Sequence, residues 1–160
     1  WVSRRALGGG IAWVDVLCSI YGGGQSHSGP YAVSAGLSST VTPVPTFSWT
    51  VEVVAHEAGH NFGAPHTQSC SWNDNNTAID GCVNVEDGTC ARPGAPSDGG
   101  TIMSYCHLAN VGINFNKGWS KGADANSVSP NMGPYQRIRN RYGGCNWKTI
   151  WHRPKIVRWL

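Results

Sequence analysis

A chain of 160 residues with 40% hydrophobic content and eight Trp is long enough for one sizeable core and too apolar for disorder, so a globular domain is expected. It has no apolar run of the roughly 18 residues a membrane span needs, and its opening, WVSRRALGGG, has neither an initiator Met nor the apolar stretch of a signal peptide, so it reads as a processed or excised segment. The net charge is only +3; seven Lys or Arg with no acid lie between residue 125 and the end, and without a nucleic-acid motif they read as a solvated helix face followed by an irregular end rather than a polyanion-binding surface.

In chain order, Ile11–Leu17 (IAWVDVL) alternates β-branched or aromatic residues with others behind a GGG entry, the pattern of a strand. A second, weaker strand is expected over Tyr31–Leu37. After TPVP comes the clearest element, a helix from Phe47 to Phe62. Its apolar residues Phe47, Val51, Val54, Ala55, Ala58 and Phe62 form one stripe at helical period, which is expected to face a core, while His56 and His60 point to the opposite side. Gly63 stands where a left-handed residue stops a helix. Residues 64–101 are rich in Pro, Gly and Asn and carry three Cys, so a long irregular region held by disulfides is expected there. GPYQRIRNRYGG reads as a short last helix with Pro134 in its first turn and Gly143 as its stop.

The six Cys (Cys18, Cys70, Cys82, Cys90, Cys106, Cys145) are even in number and lack C-x-x-C spacing. Disulfides, and hence a secreted or otherwise extracytoplasmic location, follow as the expectation. The spacing alone does not choose among the possible pairings.

Chemistry is concentrated in HEAGHNFGAPH, residues 56–66, which holds three of six His and one of three Glu in eleven positions. Two His four apart on a helix lie one turn apart on one face, so both rings can reach one Zn²⁺. Glu57 is offset by one residue, close enough to reach a water on the metal without binding the metal itself. Gly63 lets the chain turn back so that His66 supplies a third ligand. Three protein ligands leave a coordination position open, which is the arrangement of a catalytic site: zinc acidifies the water, Glu57 accepts its proton, and an amide carbonyl is attacked. A chance match to this pattern, given the chain's own composition, is on the order of one in ten million per start position.

H-E-x-x-H-x-x-G-x-x-H resembles the extended zinc signature of the metzincin metallopeptidases, and GGTIMSYC supplies Met103 for the Met-turn those enzymes carry beneath the metal. Within the clan, VVAHEAGHNFGAPH is most similar to the reprolysin or adamalysin group, which also has Asn after the second His. The resemblance covers roughly residues 8–145, and it implies an α+β fold: a small twisted sheet with an edge strand, a long active-site helix, and an irregular disulfide-held lower part with the Met-turn and a C-terminal helix. GIAWVDVLC resembles the family's edge strand, which makes Gly10, Ile11, Ala12, Trp13 and Val14 the residues implied to pair with substrate peptide. The resemblance also implies the pairings Cys18–Cys145, Cys82–Cys90 and Cys70–Cys106.

Three positions depart from the reprolysin pattern. Thr67 follows the third His where reprolysins have Asp, and Tyr105 stands two residues after Met103 where they have Pro, as in astacins and serralysins. In those relatives the equivalent phenol is an extra zinc ligand at rest and then swings to hydrogen-bond the transition state, so Tyr105 is a catalytic candidate beside Glu57. Third, only 55 residues precede His56. The expected organisation is therefore a catalytic domain over residues 1–146 with part of its N-terminal region missing, then a basic, aromatic tail over 147–160.

The function expected is a zinc endopeptidase acting on protein or peptide, with one catalytic Zn²⁺ and no nucleic-acid partner; the oligomeric state is left open. The alternatives are a zinc-binding but poorly active fragment, or a non-catalytic binding module using the Trp-rich tail. His27 reads as solvated. His107 is left out of the ligand set because three ligands are already supplied. Asp74, Asp80 and Asp87 offer oxygens for Ca²⁺ but lack D-x-D-x-D-G spacing, so they read as turn residues and no Ca²⁺ is assigned.

Overall fold

The computed structural model describes residues 1–16, 29–73 and 76–119. Two short antiparallel strands, β1 (Gly10–Ala12) and β2 (Ala32–Ser34), lie against the single long helix α1 (Trp49–Asn61). The rest of the described chain is loop, with 3-10 turns at Cys106–Ala109 and Phe115–Lys117. The α+β character agrees with the expected fold class. The expected C-terminal helix and the tail over 147–160 lie outside the described residues, as do His27, Asp74 and the pairing Cys18–Cys145.

Both strands are shorter than expected, and β1 ends for a specific reason. At Asp15 the backbone enters the left-handed region (φ 60°), and the N–H groups of Asp15 and Val16 donate to His60 O (2.9 Å) and Asn61 O (3.1 Å). The chain thus leaves the sheet to satisfy carbonyls in the last turn of α1, which have no partner within the helix. Trp13 and Val14 consequently sit past the strand. β2 is paired on both sides: Ser34 N–H donates to Trp1 O and Ser3 N–H to Ser34 O, each at 2.8 Å, while β1 lies along its other edge.

Helix α1 starts at Trp49, with Glu52 N–H donating to the carbonyl of N-cap Ser48 at 2.9 Å. It ends in a Schellman motif at the expected glycine. Gly63 (φ +91°) donates to His60 O at 2.8 Å and Ala64 N–H to Gly59 O at 3.0 Å.

The expected orientation of α1 needs correction. The buried face is not the apolar stripe but Glu52, Val53, His56, Glu57, Gly59 and His60; Phe47 and Val54 on the stripe are exposed. The polar face is covered by the Gly8–Gly10 approach to β1, by the 64–68 loop and by residues 102–107. The stripe is used only in part: Val51 packs on the small core of Cys106, Ile113 and Phe115, and Phe62 stacks on Trp119 with ring centroids 5.2 Å apart.

Among the described residues of 64–119, strand-like pairing is confined to isolated bridges (Ser69 with Glu86, Trp72 with Thr77, Gly100 with Ile113), in agreement with the irregular region expected over 64–101. Two disulfides staple it, but the pairing is Cys70–Cys90 and Cys82–Cys106, which overturns Cys82–Cys90 and Cys70–Cys106. The cause is the bridge at Ser69 and Glu86: Cys70 N–H donates to Glu86 O at 3.0 Å, which carries the segment leading to Cys90 past Cys70. Cys82 is left beside Cys106 in the core cluster.

Met103 is fully buried under α1, in a turn closed by Ser104 N–H donating to Thr101 O at 3.0 Å. Gly59 makes room for it. A Cβ at Gly59 would lie 2.5 Å from Met103 Sδ, with the Trp119 ring 3.2 Å away on another side. Gly59→Ala is therefore expected to destabilise the fold by about 1–2 kcal/mol, overpacking outweighing the gain in helix propensity. Urea unfolding of the two proteins checks this; a midpoint at or above wild type would mean that Met103 does not pack against this turn.

Candidate metal and catalytic site

His56 and His60 come one turn apart on α1, and the Schellman turn sends the chain back so that His66 reaches the same point. The ligand atoms of the three side chains all lie within 4.8 Å of one another, and His60 Nε2 is 3.1 Å from His66 Nε2. Each ring is turned by an acceptor on its other nitrogen: His56 Nδ1 by Ile102 O (2.7 Å), His60 Nδ1 by Ala64 O (2.8 Å) and His66 Nδ1 by the Glu86 carboxylate (2.6 Å). A nitrogen facing such an acceptor carries the proton, so each Nε2 is left as an acceptor turned toward the others.

Burial and mutual repulsion keep His56 and His60 neutral. Burial, then the neighbouring His60, pushes the pKa of His56 down to about 3; burial, then His66, takes His60 down to about 4. Two bare nitrogens at 3.1 Å repel unless a cation lies against both, and a tetrahedral zinc with bonds of about 2.0–2.1 Å would hold its nitrogens roughly 3.3 Å apart. The donor set fits such an ion, and the His56, His60 and His66 group can hold a metal.

Glu57 stands beside the triad with Oε2 buried and without a hydrogen-bond partner. Burial raises its pKa to about 7. β1 crosses directly over it: a Cβ at Gly10 would collide with Glu57 Oε1, so glycine is what permits that approach. Tyr105 brings its hydroxyl to 3.0 Å from His66 Nε2 and its ring to 5.8 Å from that of His56, nearly parallel. Its pKa is raised, first by burial and then by Glu86, Glu57 and Glu52, so the phenol stays protonated and donates to that nitrogen.

A cavity of about 340 Å³ borders this group, lined on one side by Gly10, Ile11, Ala12 and Val14 and on the other by Glu57, His60 and His66. Ala35 N–H donates to Gly9 O at 2.9 Å, and the alternation of an antiparallel ladder therefore turns the backbone groups of Gly10 and Ala12 away from β2. Of the implied edge residues, Trp13 does not line this cavity; its carbonyl accepts from Asn61 Nδ2 at 2.8 Å and ties β1 to the helix. Asp80 is buried and its Oδ1 accepts from Cys82 N–H at 3.3 Å, a turn contact, while Asp87 has a left-handed backbone (φ 52°). His107 stays out of the triad and lies against Glu52, at 2.9 Å.

A model of metallo-peptidase family M12, Reprolysin_5, matches residues 1–115. The chain belongs to the M12 metallopeptidase family. A protein of Aspergillus fumigatus named disintegrin and metalloproteinase domain-containing protein B is 33% identical over 109 residues, 64% of this chain and 13% of that protein, so the chain spans about an eighth of this relative's length. No solved structure matches. Family membership carries zinc dependence with it, and the reprolysin-like resemblance of the signature is upheld.

Glu86 and Glu52 are the site residues that sequence reasoning missed. A signal for both was present, because the M12 chain has only three Glu and the third is Glu57. Glu86 lies 20 residues beyond His66, with Oε2 accepting from Gln68 at 3.3 Å, and is held in place by the isolated backbone bridge it makes with Ser69. Glu86→Ala is expected to weaken zinc binding about 10- to 100-fold while leaving all three His in place. Competition with a fluorescent chelator measures this; unchanged affinity would mean that His66 needs no carboxylate to orient it.

Proposed function

We propose that this M12 chain is a zinc-dependent endopeptidase in which His56, His60 and His66 hold the ion and Glu57 is the general base. The observation that carries the reading is the convergence of three imidazole nitrogens, each fixed through its Nδ1, beside a buried carboxyl with one free oxygen. When bound, zinc supplies Lewis acidity toward the peptide carbonyl and a source of hydroxide near neutral pH. Glu57 Oε2 accepts a proton from the attacking water and returns it to the amine as the C–N bond breaks and the new C–O bond is kept. A buried carboxyl with a pKa raised to about 7 suits both halves of that exchange, although a dication beside it would draw the value down again.

The backbone of Gly10 and Ala12 is the proposed docking edge for an extended substrate peptide, which would add as a further strand across the cavity. Tyr105, already within 3.0 Å of a ligand nitrogen, is the proposed donor to the oxygen that gains charge in the transition state. Residues 1–146 are the proposed catalytic domain and 147–160 a separate tail. The Cys70–Cys90 and Cys82–Cys106 bridges favour a secreted or extracytoplasmic location, and among the described residues no helix is long and apolar enough to cross a membrane.

Glu57→Gln is expected to keep one zinc per chain and lose hydrolysis of an unstructured protein by at least about 10³-fold, whereas His60→Ala loses metal and activity together. Metal analysis beside the protease assay separates the two, and a Glu57 variant that sheds its zinc would make Glu57 a ligand instead. Tyr105→Phe is expected to keep zinc and lower kcat about 10- to 1,000-fold with little change in KM. An unaltered kcat in the zinc-replete Tyr105→Phe protein would leave the tyrosine with a packing role only.

A further inference from the structure

A second cavity, of about 250 Å³, opens at His56 and shares Gly10, Glu57 and Tyr105 with the one beside His60 and His66. It runs between the Gly8–Gly10 approach to β1, the first two turns of α1, and the 3-10 turn that begins at Cys106. Its volume suits one long side chain rather than a length of peptide. Trp49, Val53 and Leu108 give it apolar walls, while its lining also includes a carboxylate, Glu52.

Glu52 is 1% exposed. His107 Nδ1 lies 2.9 Å from Glu52 Oε1, within ion-pair reach but off the direction of a hydrogen bond, and Oε2 has no hydrogen-bond partner. Among the described residues no Lys or Arg pairs with this carboxylate. A buried carboxylate with one oxygen unpaired is costly to maintain, and a group that brings a positive charge and a donor to it recovers that cost. Folding does not explain the acid here, because an apolar residue at this point on α1 would pack against Trp49 and Val53 without the desolvation penalty.

We infer that Glu52 selects the substrate: its carboxylate receives the ammonium or guanidinium of a lysine or arginine directly flanking the bond to be cut. The methylenes of such a side chain would lie along Trp49, Val53 and Leu108, leaving the charged head at Glu52. Trp49 offers a ring face to the same cation. The inference rests on the proposed peptidase activity, since the cavity matters to substrate choice only if the reacting bond lies at His56 and Glu57.

The test uses pairs of otherwise identical peptides carrying lysine or norleucine at one of the two positions flanking the bond. For one of those positions, the zinc-loaded protein is expected to cleave the lysine peptide with a kcat/KM at least about 10-fold higher, and Glu52→Gln to bring that ratio close to 1 with zinc content unchanged. A ratio near 1 at both positions in the wild type, or one that survives Glu52→Gln, overturns the inference. If Glu52→Gln does not fold, the wild-type ratio decides alone. If neither peptide is cleaved, the peptidase reading fails separately, and the same pair made as hydroxamates and titrated by calorimetry decides the cavity: about 10-fold tighter binding of the lysine compound upholds it, and equal binding ends it.

Discussion

Three imidazole nitrogens crowded within 4.8 Å of one another are the demand that the rest of this fold serves. Such a cluster is unfavourable by itself, because each bare lone pair faces another and each ring must be held against rotating away. The structure answers with one acceptor per ring, taken from three different parts of the chain: the carbonyl before Met103, the carbonyl just after the helix stop, and a carboxylate 20 residues beyond His66. Met103 is buried because the Ile102 carbonyl must arrive under His56, and Gly59 is glycine because Met103 must then fit beneath α1.

The same cluster sets the electrostatics around it. Desolvation dominates at His56, His60 and Glu57 alike, and it moves the two kinds of group toward neutrality: the imidazole pKa values fall and the carboxyl value rises. A bound cation has a large effect among such desolvated groups, since little water screens its field. Gly10 contributes here too. By letting β1 pass against Glu57 it excludes water from the carboxyl and, in the same stroke, brings a strand edge alongside the site.

What the sequence revealed and what it hid divide along the range of the interactions. His56, His60, Gly63 and His66 were legible because their geometry is local: one helical turn, one left-handed glycine and a short return. The helix and its stop followed from the same short-range signals, whereas the buried Met103 was implied only by the resemblance to the metzincin Met-turn. The buried face of α1 was misread because periodicity reports which residues are apolar, whereas burial here follows the metal-ligand face that loops from elsewhere must cover. The strand ran too long in the reading because the N–H groups of Asp15 and Val16 are taken by α1, a contact no propensity encodes. Glu86 and the disulfide pairing depend on one cross-chain register, Ser69 with Glu86, and neither can be read without it.

That register also explains why a fold with so little regular structure can hold a site at all. Among the described residues, one 13-residue helix and two three-residue strands cannot fix loops by hydrogen bonding alone. The two bridges fall where the site needs them. Cys70 and Cys90 each lie four residues beyond a site residue, His66 and Glu86 respectively, so this disulfide clamps a ligand to the carboxylate that orients it. Cys106 lies four residues beyond Ile102, whose carbonyl turns His56, and its bond to Cys82 anchors the Met103 turn in the small core with Ile113 and Phe115. Cross-links that shorten the open chain limit how far each acceptor can wander from its ring, whether or not they add much to global stability. Site precision in this domain is therefore carried by covalent closure of loops, with the sheet contributing chiefly the edge that faces the cavity.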